Sequence, residues 1–240
     1  MRERPVSCVP RAALALLGAG LALQIGWHAL APRPQASAQA LPQAPTAATL
    51  RLASIGEPIG LGKLLMLYIQ AFDNQPGISL PFRQLDYVTL EAWLDRVVEL
   101  DPRGQYPLLA ASRLYAEVSD EARKRRMLAF VHRRFSEDPD RRWPALAHAT
   151  IVAKHQLKDL PLARRYARAI REQATGRNVP NWARQMEIFV LEDMNEIDSA
   201  KILIGGLLQS GQITDPHELR FLDERLKAMG KQPTGRMAPQ

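Results

Sequence analysis

The chain has 240 residues, with 32 Lys and Arg against 25 Asp and Glu for a formal charge of +7, and its side chains are 46% hydrophobic and 24% charged. That much apolar material supplies a packed core and excludes a globally disordered chain. A single cysteine, Cys8, excludes a disulfide framework.

Arg2, Arg4 and Arg11 precede an almost uncharged run over residues 12–31, and beyond it only Arg33 carries charge before Arg51. The run matches the ~20 residues needed to cross a bilayer core as a helix, and the basic flank assigns residues 1–11 to the cytoplasm. Ala36-Ser37-Ala38 before Gln39 has the small-x-small form of a signal-peptidase site, so two readings stand. Either residues 12–31 stay as a single-pass inner-membrane anchor with a periplasmic C-terminal domain, or the chain is cut near Ala38 and released as soluble periplasmic protein. Cys8 lies before the apolar run and cannot accept a lipid there. Arginine outnumbers lysine 25 to 7 in an Ala- and Pro-rich chain, as a high-GC bacterial coding bias produces.

Residues 32–55, rich in Pro, Ala and Gln, read as a flexible linker. A helical domain is expected over 56–229 and a disordered tail over 230–240. Its first helix covers 61–72, with Leu64, Leu65, Leu67, Tyr68 and Phe72 at helical spacing, and Asn74-Gln75-Pro76-Gly77 breaks it. The partner covers 85–100, burying Leu90, Leu94, Val97 and Val98. A second pair covers 106–118 and about 121–135, with Ser119-Asp120 as cap and Leu128, Val131 and Phe135 inside. A third covers 143–157 and 160–174, with Leu162, Ala163, Tyr166 and Ile170 as its buried stripe. A fourth covers 182–194 and 198–209, closed by Gly211. A last helix opens at Asp215-Pro216-His217-Glu218, where Asp215 caps and Glu218 completes a capping box.

Tyr106-Pro107-Leu108-Leu109-Ala110 recurs 37 positions later as Trp143-Pro144-Ala145-Leu146-Ala147, and Trp182 opens the next unit after 39. With Ala122, Ala163 and Ala200 in the second helices, this resembles the tetratricopeptide repeat family, although its periods exceed that family's usual ~34. The resemblance covers about residues 56 to 211. It implies an all-α fold of antiparallel helical hairpins stacked as a short solenoid, preceded by the N-terminal transmembrane helix or signal sequence. It also implies protein or peptide binding on the concave face, lined by the first helix of each pair. Tyr106, Trp143 and Trp182 are expected to fill the core between hairpins.

Counting along those helices places Tyr115, His148, Val152 and His155 in the groove. His148 and His155 sit about 10 Å apart along a helix, too far to share one ion, and no metal or cofactor is expected. The chain lacks a phosphate loop, a nucleophile elbow and a zinc-protease motif, so an enzyme is not expected. Arg123, Arg126, Arg133 and Arg134 fall opposite one buried stripe, and Arg164, Arg168 and Arg171 opposite the next. They read either as a solvated face or as an outer surface for an anionic lipid head group or polysaccharide. Export disfavours nucleic acid. Setting aside Arg2, Arg4, Arg11, Arg33 and Glu3 leaves +4 on the exported part, which does not demand a polyanion. The expected function is thus a membrane-anchored scaffold or adaptor, with an anionic envelope receptor as the alternative.

Overall fold

Apolar stripes at helical spacing drive this chain into helices, and short polar side chains set where several of them begin. The computed structural model describes residues 10–30, 40–72, 74, 75, 78, 79, 84–211, 213 and 215–230. Residues 1–9, the Ala36-Ser37-Ala38 site, Pro76-Gly77 and the tail 231–240 lie outside them.

The described residues form two compact units. The first contains α1 (Arg11–Leu30), a 20-residue helix with no buried side chain and with Arg11, its only formal charge, at its start. It is long and apolar enough to span a membrane.

The second unit is helical. Its elements are α2 (Ala47–Ala53), α3 (Pro58–Ala71), α4 (Tyr87–Leu100), α5 (Tyr106–Ala110), α6 (Glu121–Phe135), α7 (Pro139–His155), α8 (Leu160–Gln173), α9 (Asn181–Arg184), α10 (Met186–Asp193), α11 (Ile197–Gln209) and α12 (Pro216–Gly230). Two-residue extended segments, Asn74–Gln75 and Ile78–Ser79, lie between α3 and α4. Neighbours in sequence pack together: α3 on α4, α7 on α8, α10 on α11 and α11 on α12. Successive pairs are joined by α6 on α7 and α8 on α10.

Caps explain the sharper boundaries. Asp86 accepts hydrogen bonds from the N–H groups of Val88 and Thr89 at 3.0 and 3.2 Å, and Asp120 accepts one from Arg123 at 3.0 Å. Asp215 accepts from the His217 N–H at 2.8 Å. The capping box expected at Glu218 is not made, because its carboxylate instead accepts from Asn181 Nδ2 and Gln185 Nε2 and ties α12 to the α9 region. Gly176 is a close approach: its N–H donates to Asp140 Oδ1 at 2.7 Å, and a Cβ there would meet that carboxyl at the same distance.

The expected stripes of α4, α6 and α8 are buried, including Leu90, Leu94, Val98, Leu128, Val131, Phe135, Tyr166 and Ile170. Each such side chain is worth about 1.5–3 kcal/mol of hydrophobic transfer. A second cluster, Ile188, Leu191, Ala200, Ile204, Ile213, Leu222 and Met229, holds α10 to α12 together.

Five expectations are corrected. The linker assigned to 32–55 is partly structured: Leu41 and Leu50 are buried, Trp93 Nε1 donates to the Pro42 carbonyl at 2.7 Å, and Arg96 Nε donates to that of Pro45 at 3.1 Å. The helix expected over 61–72 begins at Pro58 and buries Gly62, Met66 and Ile69, leaving Leu64, Leu67 and Tyr68 outside. The helix expected over 106–118 passes into a π-helical turn at Ala111–Tyr115, where the Ala116 N–H reaches the Ala111 carbonyl, and ends there. The helix expected from 143 begins one turn earlier at Pro139 and carries Pro144 inside it, while the one over 182–194 is broken at Gln185.

Candidate functional site

The residues expected to line a groove do not form one. Tyr115 and Val152 are 0% and 1% exposed, and His148 is half-buried against Ser112 and Arg113 of the π-helical turn. That turn packs on α7 and occupies the face where His148 and Val152 lie. His155 alone is exposed, at the end of α7. Burial lowers the His148 imidazole below its ordinary value, and Arg113 adds to the effect. Tyr87 crosses beneath the same turn, its hydroxyl donating to the Tyr115 carbonyl at 2.8 Å, and burial pushes its pKa up to about 12.

The arginines do come together, and they come together with carboxylates. On α4, Glu91, Asp95 and Glu99 recur every four residues and present one acidic stripe to α6. Arg126 donates to Glu91 at 2.9 Å, Arg133 to Glu91 and Asp95 at 2.9 and 3.1 Å, and Arg134 to Asp95 and Glu137, both at 2.7 Å. Burial works against charge on Arg133 and Arg134, but these carboxylates outweigh it and hold both guanidiniums above their ordinary values. Arg123 lies 3.5 Å from Asp120 and over the Tyr87 ring.

The second row converges on one residue. Glu187 of α10, 2% exposed, accepts from Arg168 at 3.1 Å and Arg171 at 2.8 Å, while Arg164 lies 3.6 Å away and donates to Glu196 at 2.9 Å. All seven arginines proposed for an anionic ligand are therefore engaged within the chain, as ties between α4 and α6 and between α8 and the α10–α11 pair. Sequence reasoning missed Arg142, which is 3% exposed and donates to the carbonyls of Arg134 and Pro102 and to Glu137. Its place beside Arg141, just before the apolar stretch after Trp143, was its only signal.

Two of the three aromatic positions of the repeat are also corrected. Trp143 is partly buried and packs against the core, but Tyr106 and Trp182 are 53% and 54% exposed, and Trp182 meets Trp143 edge to face at 5.3 Å between centroids. Tyr106 and Trp182 mark an open edge, because Pro107, Leu108, Ala145 and Leu146 take the inward positions.

Two clefts remain. One, of about 330 Å³, is lined by Glu192, Asn195, Ile197, Arg225, Ala228 and Met229. Its charges are spent on each other: Arg225 grips Glu192 and lies over the Phe189 ring at 4.7 Å. The other, of about 470 Å³, opens between α3, the end of α4 and the start of α5. Met66, Leu67, Val97 and Pro107 make its apolar wall, and Lys63, Gln70, Asp101 and Tyr106 stand at its polar positions. Gln70 Nε2 donates to the Tyr106 hydroxyl at 2.5 Å and fixes that ring. Gly104 closes the loop so tightly that a Cβ would lie 2.6 Å from Asp101 Oδ2. Apolar walls with a few placed polar groups suit a ligand side chain or peptide. Among the described residues no group of three His, Cys, Asp or Glu is placed to hold a metal ion. Comparison with family models, with curated proteins and with solved structures found no match to this chain.

Proposed function

We propose that this chain is a membrane-anchored, tetratricopeptide-like adaptor that docks a segment of a protein partner in the cleft between α3 and α5. In this reading α1 is retained as a single span, with the arginine-rich N-terminus in the cytoplasm and the helical hairpins stacked as a short solenoid on the periplasmic side. The single observation that carries the docking site is the open apolar cleft with Tyr106 held at its rim by Gln70. Lys63 and Asp101 put one charge of each sign beside it, so the cleft selects apolar side chains and backbone polar groups rather than a net charge. No catalytic role is assigned. The seven arginines, each already paired, lend nothing to an anionic-receptor reading.

The test is photo-crosslinking in intact cells with a benzoylphenylalanine placed at Leu67 or at Gln105, and at Glu224 as reference. The reading expects the same discrete protein adducts from both cleft positions, none at Glu224, and their loss in a Tyr106→Glu/Gln70→Ala background that still melts like the parent. Adducts that persist in that background, or that arise equally from Glu224, overturn it.

A further inference from the structure

We infer that the outer face of α2 and α3 lies on the surface of an anionic phospholipid bilayer, the one that α1 crosses; this rests on the reading of α1 as a retained span. The greater part of that face belongs to α3. Of its 14 residues only Lys63, Tyr68 and Gln70 carry polar side-chain atoms, so it is apolar around nearly its whole circumference. A helix of that kind belongs in apolar surroundings on every side. The second unit covers only one face, where Gly62, Met66 and Ile69 pack against α4. The opposite face presents Leu64, close to two-thirds exposed and outside the lining of the cleft that Leu67 walls.

The open surface continues into α2, which meets α3 at a bend of 110°. Leu52 is 82% exposed, and at the corner Ile55 is 93% exposed with φ +49°, a left-handed conformation that a β-branched residue rarely adopts. Both helices are held on α4, so neither is free to cross a bilayer; only their outward side is available to lipid.

Two further observations select lipid over a second copy or another protein. The nine residues between Leu30 and Ala40 reach at most about 35 Å even when fully extended, a tether that keeps the bilayer within reach of α2 and α3. Arg51 and Lys63 are exposed beside the apolar residues, and Glu57 is the single acid between residues 47 and 71. Exposed leucine and isoleucine edged by basic side chains match an interface of acyl chains below anionic phosphates.

The experiment uses the full chain with Cys8→Ser, reconstituted in phosphatidylcholine vesicles with or without phosphatidylglycerol. Nitroxide labels are attached through Leu52→Cys, Ile55→Cys or Leu64→Cys, with Leu16→Cys reporting on α1 and Glu224→Cys as the aqueous reference. The expected result is that labels at 52, 55 and 64 respond to oxygen more than to a water-soluble nickel chelate, at about 5–10 Å below the phosphates. Position 224 shows the opposite. Arg51→Glu, which leaves the cleft's Lys63 in place, is expected to return the three labels toward water. Four results overturn the inference. Labels at 52, 55 and 64 that stay aqueous while Leu16 is immersed refute the surface contact alone, whereas an aqueous Leu16 removes the span on which it rests. Spin–spin broadening at Leu64→Cys that grows with protein-to-lipid ratio shows that a second copy covers the face. Equal immersion without phosphatidylglycerol, untouched by the charge reversal, removes the anionic preference.

Discussion

Replacing Glu187 by alanine tests whether the arginines serve as structural ties or as a ligand surface. The carboxylate is 2% exposed and receives Arg168 at 3.1 Å and Arg171 at 2.8 Å, with Arg164 at 3.6 Å. Without it Arg164 keeps Glu196 and Arg171 keeps Glu172, but Arg168 has no other ion pair among the described residues. Breaking a buried pair by removing one partner costs about 3–5 kcal/mol. The guanidiniums here remain 25–47% exposed and rehydrate in part, which places Glu187→Ala near the low end, at about 3 kcal/mol. In a domain of this size that is a fall in Tm of about 6–12 °C. Glu187→Gln, which keeps one acceptor oxygen, is expected to lose about half as much, and Arg168→Ala, at the exposed end of the cluster, under about 1 kcal/mol. Urea denaturation of the full chain in detergent, monitored by circular dichroism, gives the midpoint, with an unchanged slope expected for all three variants. A Glu187→Ala midpoint within about 1 kcal/mol of the parent, or an Arg168→Ala loss as large as that of Glu187→Ala, refutes the tie.

Three further outcomes rest on local geometry. Burial, with help from Arg165, lowers the His132 imidazole below 6.5, and His148 is lowered in the same sense. Both bind protons more weakly folded than unfolded, so their contribution is complete above pH 6.5 and is lost as pH falls through their folded values. Urea midpoints should therefore drop on acidification from pH 7.5 to 5.5, and drop less in His132→Phe, which keeps the ring contact with Tyr166 at 5.0 Å; equal slopes would contradict this. Trp93→Phe removes the donor to the Pro42 carbonyl and should speed amide hydrogen exchange over residues 41–53, with that in α8 unchanged. Asp86→Ala leaves the Val88 and Thr89 N–H groups uncapped, so the urea midpoint should report a loss of about 1 kcal/mol, largely restored by Asp86→Asn.

These variants also mark where sequence alone suffices. The helices over 87–100, 121–135, 160–173 and 197–209 were legible because apolar residues recur at 3.6 spacing, and Asp120 and Asp215 announce two of the helix starts. The inward face of α3 was not, since a helix apolar all round carries no periodic signal to say which side α4 covers. The groove residues failed for a geometrical reason. Transferring register from Tyr106 to Tyr115 assumes unbroken α-helix, but the π-helical turn over Ala111–Tyr115 inserts the equivalent of one residue and rotates the chain beyond it by about 100°. No pattern in Ala111-Ser112-Arg113-Leu114-Tyr115 announces that turn, and Val152, at the matching position of the continuous α7, is buried as well, because the face taken for a groove is the one on which the turn and α7 pack together.

The arginine rows were visible from sequence, but the carboxylates through which they tie one helix to another lie 16 to 42 residues away, beyond any helical spacing. One clue was nevertheless present. Glu187 stands in the apolar run Met186-Glu187-Ile188-Phe189-Val190-Leu191, where a packed helix leaves a carboxylate little room for water. A glutamate is almost never buried unless it is paired, so its place in that run already requires cations brought from another helix. Arg164, Arg168 and Arg171, spaced four and three apart on one face of α8, are the set whose geometry supplies them. The same requirement links Glu91, Asp95 and Glu99 to α6, and it turns two apparent ligand surfaces into the contacts that hold successive helices in register.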